Sequence, residues 1–180
     1  MKRVFLVVSS LTLLFAACNN NAETNVSSEK KDTISTTMNE KETREVRNRK
    51  VVLALVEGFN AQDIQRAFKD YSNDAVDYLD GSGAPLKGRD TVVKSYVEFF
   101  NAFTHIKGEN VHIAADGDWV MSWVTWSGTW SKALGKQKAT GKSFKVQDVD
   151  VFKFDENGKI VEHHSIQPFS TIAHQVGIKM

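Results

Sequence analysis

Five polar residues, two carboxylates, an imidazole, a hydroxyl and an amide, are gathered by the spacing of residues 144 to 167. Residues 144 to 154 alternate with period two. Phe144, Val146, Asp148, Asp150, Phe152 and Phe154 share one strand face; Lys145, Gln147, Val149, Val151 and Lys153 share the other. The first face is apolar at both ends and carries two carboxylates in its middle. Asn157-Gly158 predicts a two-residue hairpin turn, with positive φ at both central positions. Counting outward from Glu156 opposite Lys159 puts Phe152 opposite His163, Asp150 opposite Ser165 and Asp148 opposite Gln167. Lys153 then meets Glu162 on the other face, an opposite-charge pair suited to a wetter surface. Asp148, Asp150, His163, Ser165 and Gln167 thus form a polar cluster inside an aromatic wall, the pattern of a small-molecule cavity.

Asp148 and Asp150 stand two residues apart on one strand, roughly 6 to 7 Å at about 3.4 Å rise per residue. Two carboxylates on an apolar face do not both ionise cheaply, so one is expected to hold a proton that the other can take. The alternative is structural: both pair with Arg66, Arg89 or a lysine, or lie at a wet sheet edge. His163 could serve as a base or as a donor that orients a ligand, and equally as a satisfied structural histidine. With Asp148 and Asp150 it could in principle hold a metal, but no other histidine stands at ligand spacing. No metal and no cofactor is expected. Nucleotide loops, Ser or Cys nucleophile elbows and zinc signatures are absent from the sequence.

The elements that must position this cluster are legible upstream. Val52, Leu55, Val56 and Phe59 recur at helical spacing and predict a first helix ending near Gly58 to Asn60. Asn60 is expected to cap a second helix with Asp63 at its third position and Ile64, Phe68 and Tyr71 as its apolar stripe. A short strand near 75 to 79 runs into the turn-rich segment 80 to 85, with Asp77 and Tyr78 as candidate polar contacts of the cavity. Asp90 is expected to cap a third helix whose inward stripe is Val93, Tyr96, Val97, Phe100 and Phe103. Strands near 106 to 115 and 118 to 130 follow, joined at Asp116-Gly117, then a basic loop, the hairpin, and a short helix near 170 to 175. Trp119 and Trp123 share one face of their strand and Trp126 and Trp130 the other, so one pair lines the interior while the other faces outward as a partner surface. Helices first and then long antiparallel strands define an α+β domain of about residues 43 to 180, with the helices on one sheet face.

The N-terminal residues serve another purpose. Lys2 and Arg3 precede an apolar run, Val4 to Phe15, too short to span a bilayer as a helix, which marks an export signal. The run ends in Phe15-Ala16-Ala17-Cys18, which resembles the lipobox of bacterial lipoproteins. That resemblance implies cleavage before Cys18, acylation of its thiol, and a place in the bacterial cell envelope, on the periplasmic side or at the cell surface. The alternative is an ordinary secretory signal cut after Ala17, leaving a free thiol. Cys18 is the single cysteine, so no internal disulfide forms. Residues 19 to 42 are rich in Asn, Ser, Thr, Glu and Lys and read as a flexible polar tether. A formal net charge of +1 leaves no electrostatic footprint for nucleic acid.

Several segments in order carry a family likeness: Gly58-Phe59-Asn60 with Asp63, Asn73-Asp74-Ala75-Val76, Pro85-Leu86-Lys87-Gly88, Trp126-Ser127-Gly128-Thr129, Gly158 to His163, and Gln175-Val176-Gly177. Together they resemble the SnoaL-like polyketide cyclase branch of the NTF2-like superfamily, over about residues 50 to 177. The resemblance implies a cone, a curved antiparallel sheet packed on about three N-terminal helices. It also implies a pocket at the open end, Trp123 on the pocket side, and a homodimer through the outer sheet face. Cyclases of this family use an aspartate two residues after a histidine on the last strand. Matching that histidine to His163 puts Ser165 at the acid position, and serine cannot perform that transfer at neutral pH. The Gln and His of the preceding strand fall on Asp148 and Asp150, as if the carboxylates had crossed the hairpin. The expectation is a small, largely apolar ligand in the cone, with acid/base chemistry of isomerase, lyase, cyclase or hydrolase type through Asp148, Asp150 and His163. A non-catalytic binding or interaction module is the alternative.

Overall fold

A computed structural model describes residues 24 to 179. The signal segment, Cys18 and the first residues of the tether lie outside the described residues. The unit Met38–Met180 carries the fold. The elements of the described residues are helices α1 (Thr24–Asn60), α2 (Ile64–Ala67), α3 (Arg89–Ala102) and α4 (Phe169–Val176), and strands β1 (Tyr71–Asp77), β2 (Leu86–Lys87), β3 (Phe103–Asp116), β4 (Trp119–Trp130), β5 (Ser143–Phe154) and β6 (Ile160–Ser165). Among the described residues no helix is long and apolar enough to cross a membrane.

The helix α1 starts well before Thr43, inside the segment read as a tether. No Gly or Pro interrupts the chain from Thr24 to Glu57. From Lys41 on, Glu45 has cationic neighbours one turn away on either side, Lys41 at 3.9 Å and Arg49 at 3.7 Å, a spacing that favours helix. Its C-terminal half buries Val52, Leu55, Val56 and Phe59 as their period predicts. Asp63, not Asn60, caps α2, accepting a bond from the Arg66 N–H at 2.9 Å. Asn60 instead clips the end of α1 to β3: its Oδ1 accepts from Gly108 N at 2.7 Å and its Nδ2 donates to Gly108 O at 3.1 Å. Only one turn long, α2 leaves Tyr71 to open β1. Gly88, not Asp90, is the cap residue of α3, and Asp90 lies in its first turn.

The six strands form one curved, open sheet in the order β2-β1-β6-β5-β4-β3, packed on the helices. It is antiparallel except at β1–β6, which is parallel, a departure from the all-antiparallel expectation. Curvature has a local cause in β3, where His105 (φ 56°) and Asn110 (φ 53°) fall within two register shifts against β4. Such bulges bend a strand and increase its twist. The hollow side receives Phe59, Phe68, Val120, Val124, Phe152 and Ile160, all buried.

The β5–β6 hairpin pairs Phe152 with His163, Asp150 with Ser165 and Lys153 with Glu162, as the alternation predicts. The turn differs from the expected one. Gly158 N donates to Asp155 O at 3.1 Å and, of the two residues expected at the centre, Asn157 and Gly158, only Gly158 has positive φ (78°), so Glu156-Asn157 form the corner and Gly158 follows it. Phe154 therefore pairs with Ile160, one residue out of the predicted register. A bulge at Val161 then restores it before Glu162. The bulge explains why Ile160 and His163 are both buried although three residues apart.

Candidate functional site

The hollow of the sheet encloses a cavity of about 460 Å³. Asp148, Asp150, His163, Ser165 and Gln167 all line it, so the five residues that alternation assigned to one face do meet one space. Its apolar wall is aromatic, drawn from Phe59, Tyr71, Tyr96, Phe100, Trp126 and Phe144 among others.

His163 is the centre of the polar group and is almost fully buried. Its Nε2 donates to Asp150 Oδ1 at 3.2 Å. Its Nδ1 lies 3.0 Å from Asp77 Oδ1, but the N–H does not point squarely along that line, so this contact is a charge pair more than a directed bond. Asp77 is wholly buried and is level with His163 because β1 and β6 run parallel there. The Leu79 N–H, at 2.8 Å, fixes Asp77 from its own strand end. Phe152 stacks on the imidazole with ring centres 4.8 Å apart. Burial opposes charging His163, but Asp77 and Asp150 outweigh it and push the imidazole up to about 10. Burial likewise disfavours the charged Asp77, yet the imidazolium beside it holds that carboxyl below its ordinary value. His163 is thus an imidazolium at neutral pH, able to donate and to fix Asp150, and unable to act as a base.

Asp148 is held differently. Ser165 Oγ donates to its Oδ2 at 2.6 Å, and Gln167 N and Ile166 N donate to Oδ1 at 2.9 and 3.2 Å. Gln167 contributes its backbone here, while its side-chain amide turns to Pro168 O. Burial, and then the negative charge of Asp150, raise the Asp148 carboxyl above its ordinary value, against the pull of the Ser165 hydroxyl and the Gln167 N–H. Among the described residues neither Asp148 nor Asp150 pairs with Arg66, Arg89 or a lysine; Arg66 pairs with Glu57.

Three expected cavity residues lie elsewhere. Trp123 is half exposed on the outer sheet face with Trp119, while Trp126 lines the cavity and Trp130 is buried. The two tryptophan pairs lie on opposite faces of β4 as alternation predicts, and the helices decide which pair faces inward. Tyr78 stacks on His164 outside the cavity, ring centres 4.5 Å apart, because it follows the inward Asp77. Asp77 stands behind His163 and does not line the space. Residues not singled out beforehand are Tyr71 and Tyr96, read only as apolar stripe, and Asp80 and Glu98, which also line it. Among the described residues no group of three His, Cys, Asp or Glu side chains is placed to hold a metal.

A curved sheet on helices, hollow on the inner side, is the NTF2-like architecture. The family model for SnoaL-like polyketide cyclase matches residues 49–176, and this chain belongs to that family. Solved structures agree in fold. A protein from Xanthomonas campestris pv. campestris proposed to be a polyketide cyclase superposes with TM-score 0.67 at 18% identity, covering 74% of this chain and 98% of the other. IdmH from Streptomyces antibioticus, also proposed to be a polyketide cyclase, gives 0.60 at 24% identity, over 72% and 98%. A phenazine biosynthesis-related protein from Pseudomonas aeruginosa gives 0.64 at 16% identity, over 77% and 85%. A search of curated proteins found no match. The fold is shared across these proteins; the chemistry must be argued from the site.

Proposed function

We propose that this chain is a lipid-anchored protein of the bacterial envelope whose SnoaL-like domain binds a small, largely apolar molecule and transfers protons on it. The observation that carries the reading is the pair Asp148 and Asp150 facing one aromatic cavity whose lining holds no lysine or arginine, with the Asp148 carboxyl raised by burial and by Asp150. Asp148 is the proton donor and Asp150 the acceptor, and His163, already protonated, orients Asp150. Reaction types that need only this pair are isomerisation, elimination, ring closure and ring hydrolysis. Ser165 stands at the family's acid position and serves here to hold Asp148.

Binding and chemistry are tested separately. Neutral and cationic bicyclic fragments titrated into the protein should shift the Asp148 carboxyl resonance and quench Trp126; a panel that does neither removes the cavity as a ligand site. For bound fragments, solvent deuterium uptake should fall to background in Asp148→Asn and Asp150→Asn. Equal uptake in the variants would leave a non-catalytic binding module. The anchor is tested by fatty-acid labelling, which should disappear in Cys18→Ser.

A second, compatible reading concerns the outer sheet face, where Trp119, Met121 and Trp123 are each at least 40% exposed. Such a row favours a second copy of the chain as occupant. Sedimentation should show a dimer for the native protein and a monomer for the Trp119→Lys, Trp123→Lys double variant.

A further inference from the structure

The charge balance of the cavity is one-sided. Asp80, Glu98, Asp148 and Asp150 line it, and His163 is the single cationic side chain among the residues that do; no lysine or arginine does. His163 is already shared between Asp77 and Asp150. One imidazolium therefore serves two carboxylates, Asp77 and Asp150, which leaves this inner group one negative charge in surplus among the described residues, while Asp80 and Glu98 lie at the solvent-accessible rim. Asp150 uses Oδ1 for His163, and its Oδ2 has no hydrogen-bond partner among the described residues. Tyr71 is a second, independent vacancy. It is 97% buried at 3% exposure, lines the cavity, and its phenol makes no hydrogen bond to any described residue. Burial, with Asp77 and Asp150 nearby, keeps that phenol firmly neutral, so its oxygen is available as an acceptor as well as a donor. Around these acceptors stand the rings of Tyr96, Phe59, Phe100 and Trp126.

A buried acceptor set with surplus negative charge, walled by electron-rich rings, discriminates by ligand charge. An anionic ligand would have to bring its charge into a space already short of cations. A neutral one leaves that shortage as it is. An ammonium relieves it, by ion pairing with Asp150 and by cation–π attraction to the rings. We infer that the molecule taken into this cavity is an apolar amine, bound as the ammonium with its N–H groups toward Asp150 Oδ2 and the Tyr71 oxygen and its body against the aromatic wall. This rests on the cavity being the ligand site, and it makes nitrogen the carrier of the hydrogen that Asp150 faces.

The test compares three probes that share one body: 2-naphthylmethylamine, 2-naphthylmethanol and 2-naphthoate, titrated into the full chain at neutral pH by calorimetry. The amine should bind at least about tenfold more tightly than the alcohol, a difference of about 1.4 kcal/mol, with the carboxylate weakest. Alcohol or carboxylate binding as tightly as the amine overturns the amine inference while leaving the cavity as a ligand site. No heat from any of the three overturns both. In Asp150→Asn, checked for folding by circular dichroism, the preference for amine over alcohol should shrink to about twofold or less. A folded variant that keeps the full preference removes Asp150 from the assignment. Tyr71→Phe provides the same comparison with little change in volume, and it should weaken the amine more than the alcohol.

Discussion

Asp77 and His163 lie opposite each other across the one parallel junction of the sheet, with Oδ1 and Nδ1 3.0 Å apart and both side chains buried. The carboxylate contributes no surface to the cavity, yet it decides the charge of the residue that does. With Asp77→Asn the imidazolium loses its deepest partner. Its pKa should fall from about 10, read by imidazole ¹⁵N shifts. Folding stability should drop by about 3–5 kcal/mol, the usual cost of breaking a buried pair from one side. A variant as stable as the native protein would mean that Asp150 alone holds the charge.

The same pair sets how stability varies with pH. The folded pKa of His163, about 10, exceeds its ordinary 6.5, so its contribution is complete below 6.5 and is lost as pH rises toward 10. The folded pKa of Asp77 is depressed, so its contribution is present above 3.8 and is lost as pH falls through the lower folded value. Asp148 is raised and subtracts stability as pH climbs past 3.8 through its folded value. Thermal melts should therefore show a melting temperature that declines steadily from about pH 6.5 to pH 10. A flat or rising profile there would contradict the buried imidazolium.

Ser165 restrains the Asp148 proton. Its hydroxyl bond at 2.6 Å favours the carboxylate. Removing it in Ser165→Ala should move the Asp148 pKa further up, by carboxyl NMR, and cost about 1 kcal/mol of stability. A downward move would show that the Gln167 and Ile166 N–H groups take over entirely.

Gly58 permits α1 and α2 to touch. A Cβ there would lie 2.7 Å from both Cα and N of Ala67, backbone atoms that cannot swing aside. Gly58→Ala gains helix propensity, yet should destabilise the domain by about 1–3 kcal/mol through overpacking. Denaturant melts give the sign, and a stabilised variant would mean that α2 yields freely.

What could be read in advance follows the range of the interaction. The face shared by Asp148 and Asp150 is a property of one strand, and their meeting with His163 and Ser165 a property of one hairpin. Both were legible from alternation. Asp77 was placed near the cavity but its partner was not, because the parallel β1–β6 pairing joins segments about 85 residues apart with no local signal. The inward parity of β4 could not be told from the strand, since Trp123 and Trp126 are chemically alike and only the packed helices distinguish their sides. Tyr96 fell on the helix face assigned to it, but the space it lines is made by residues from several elements. The capping assignment of Asn60 was plausible chemistry at the wrong residue: Asp63 is nearer the first helical turn, which frees Asn60 for Gly108.

The extra residue at Val161 makes the hairpin a phase-locked device. Corner and bulge each displace β6 by one residue, in opposite senses, and the pleat turns one residue of slip into an exchange of faces. Deleting a corner residue while Val161 remains would rotate His164 and Glu162 inward and carry His163 and Ser165 out. The lineage that carries this domain can therefore change the corner length only in concert with the bulge, or in steps of two.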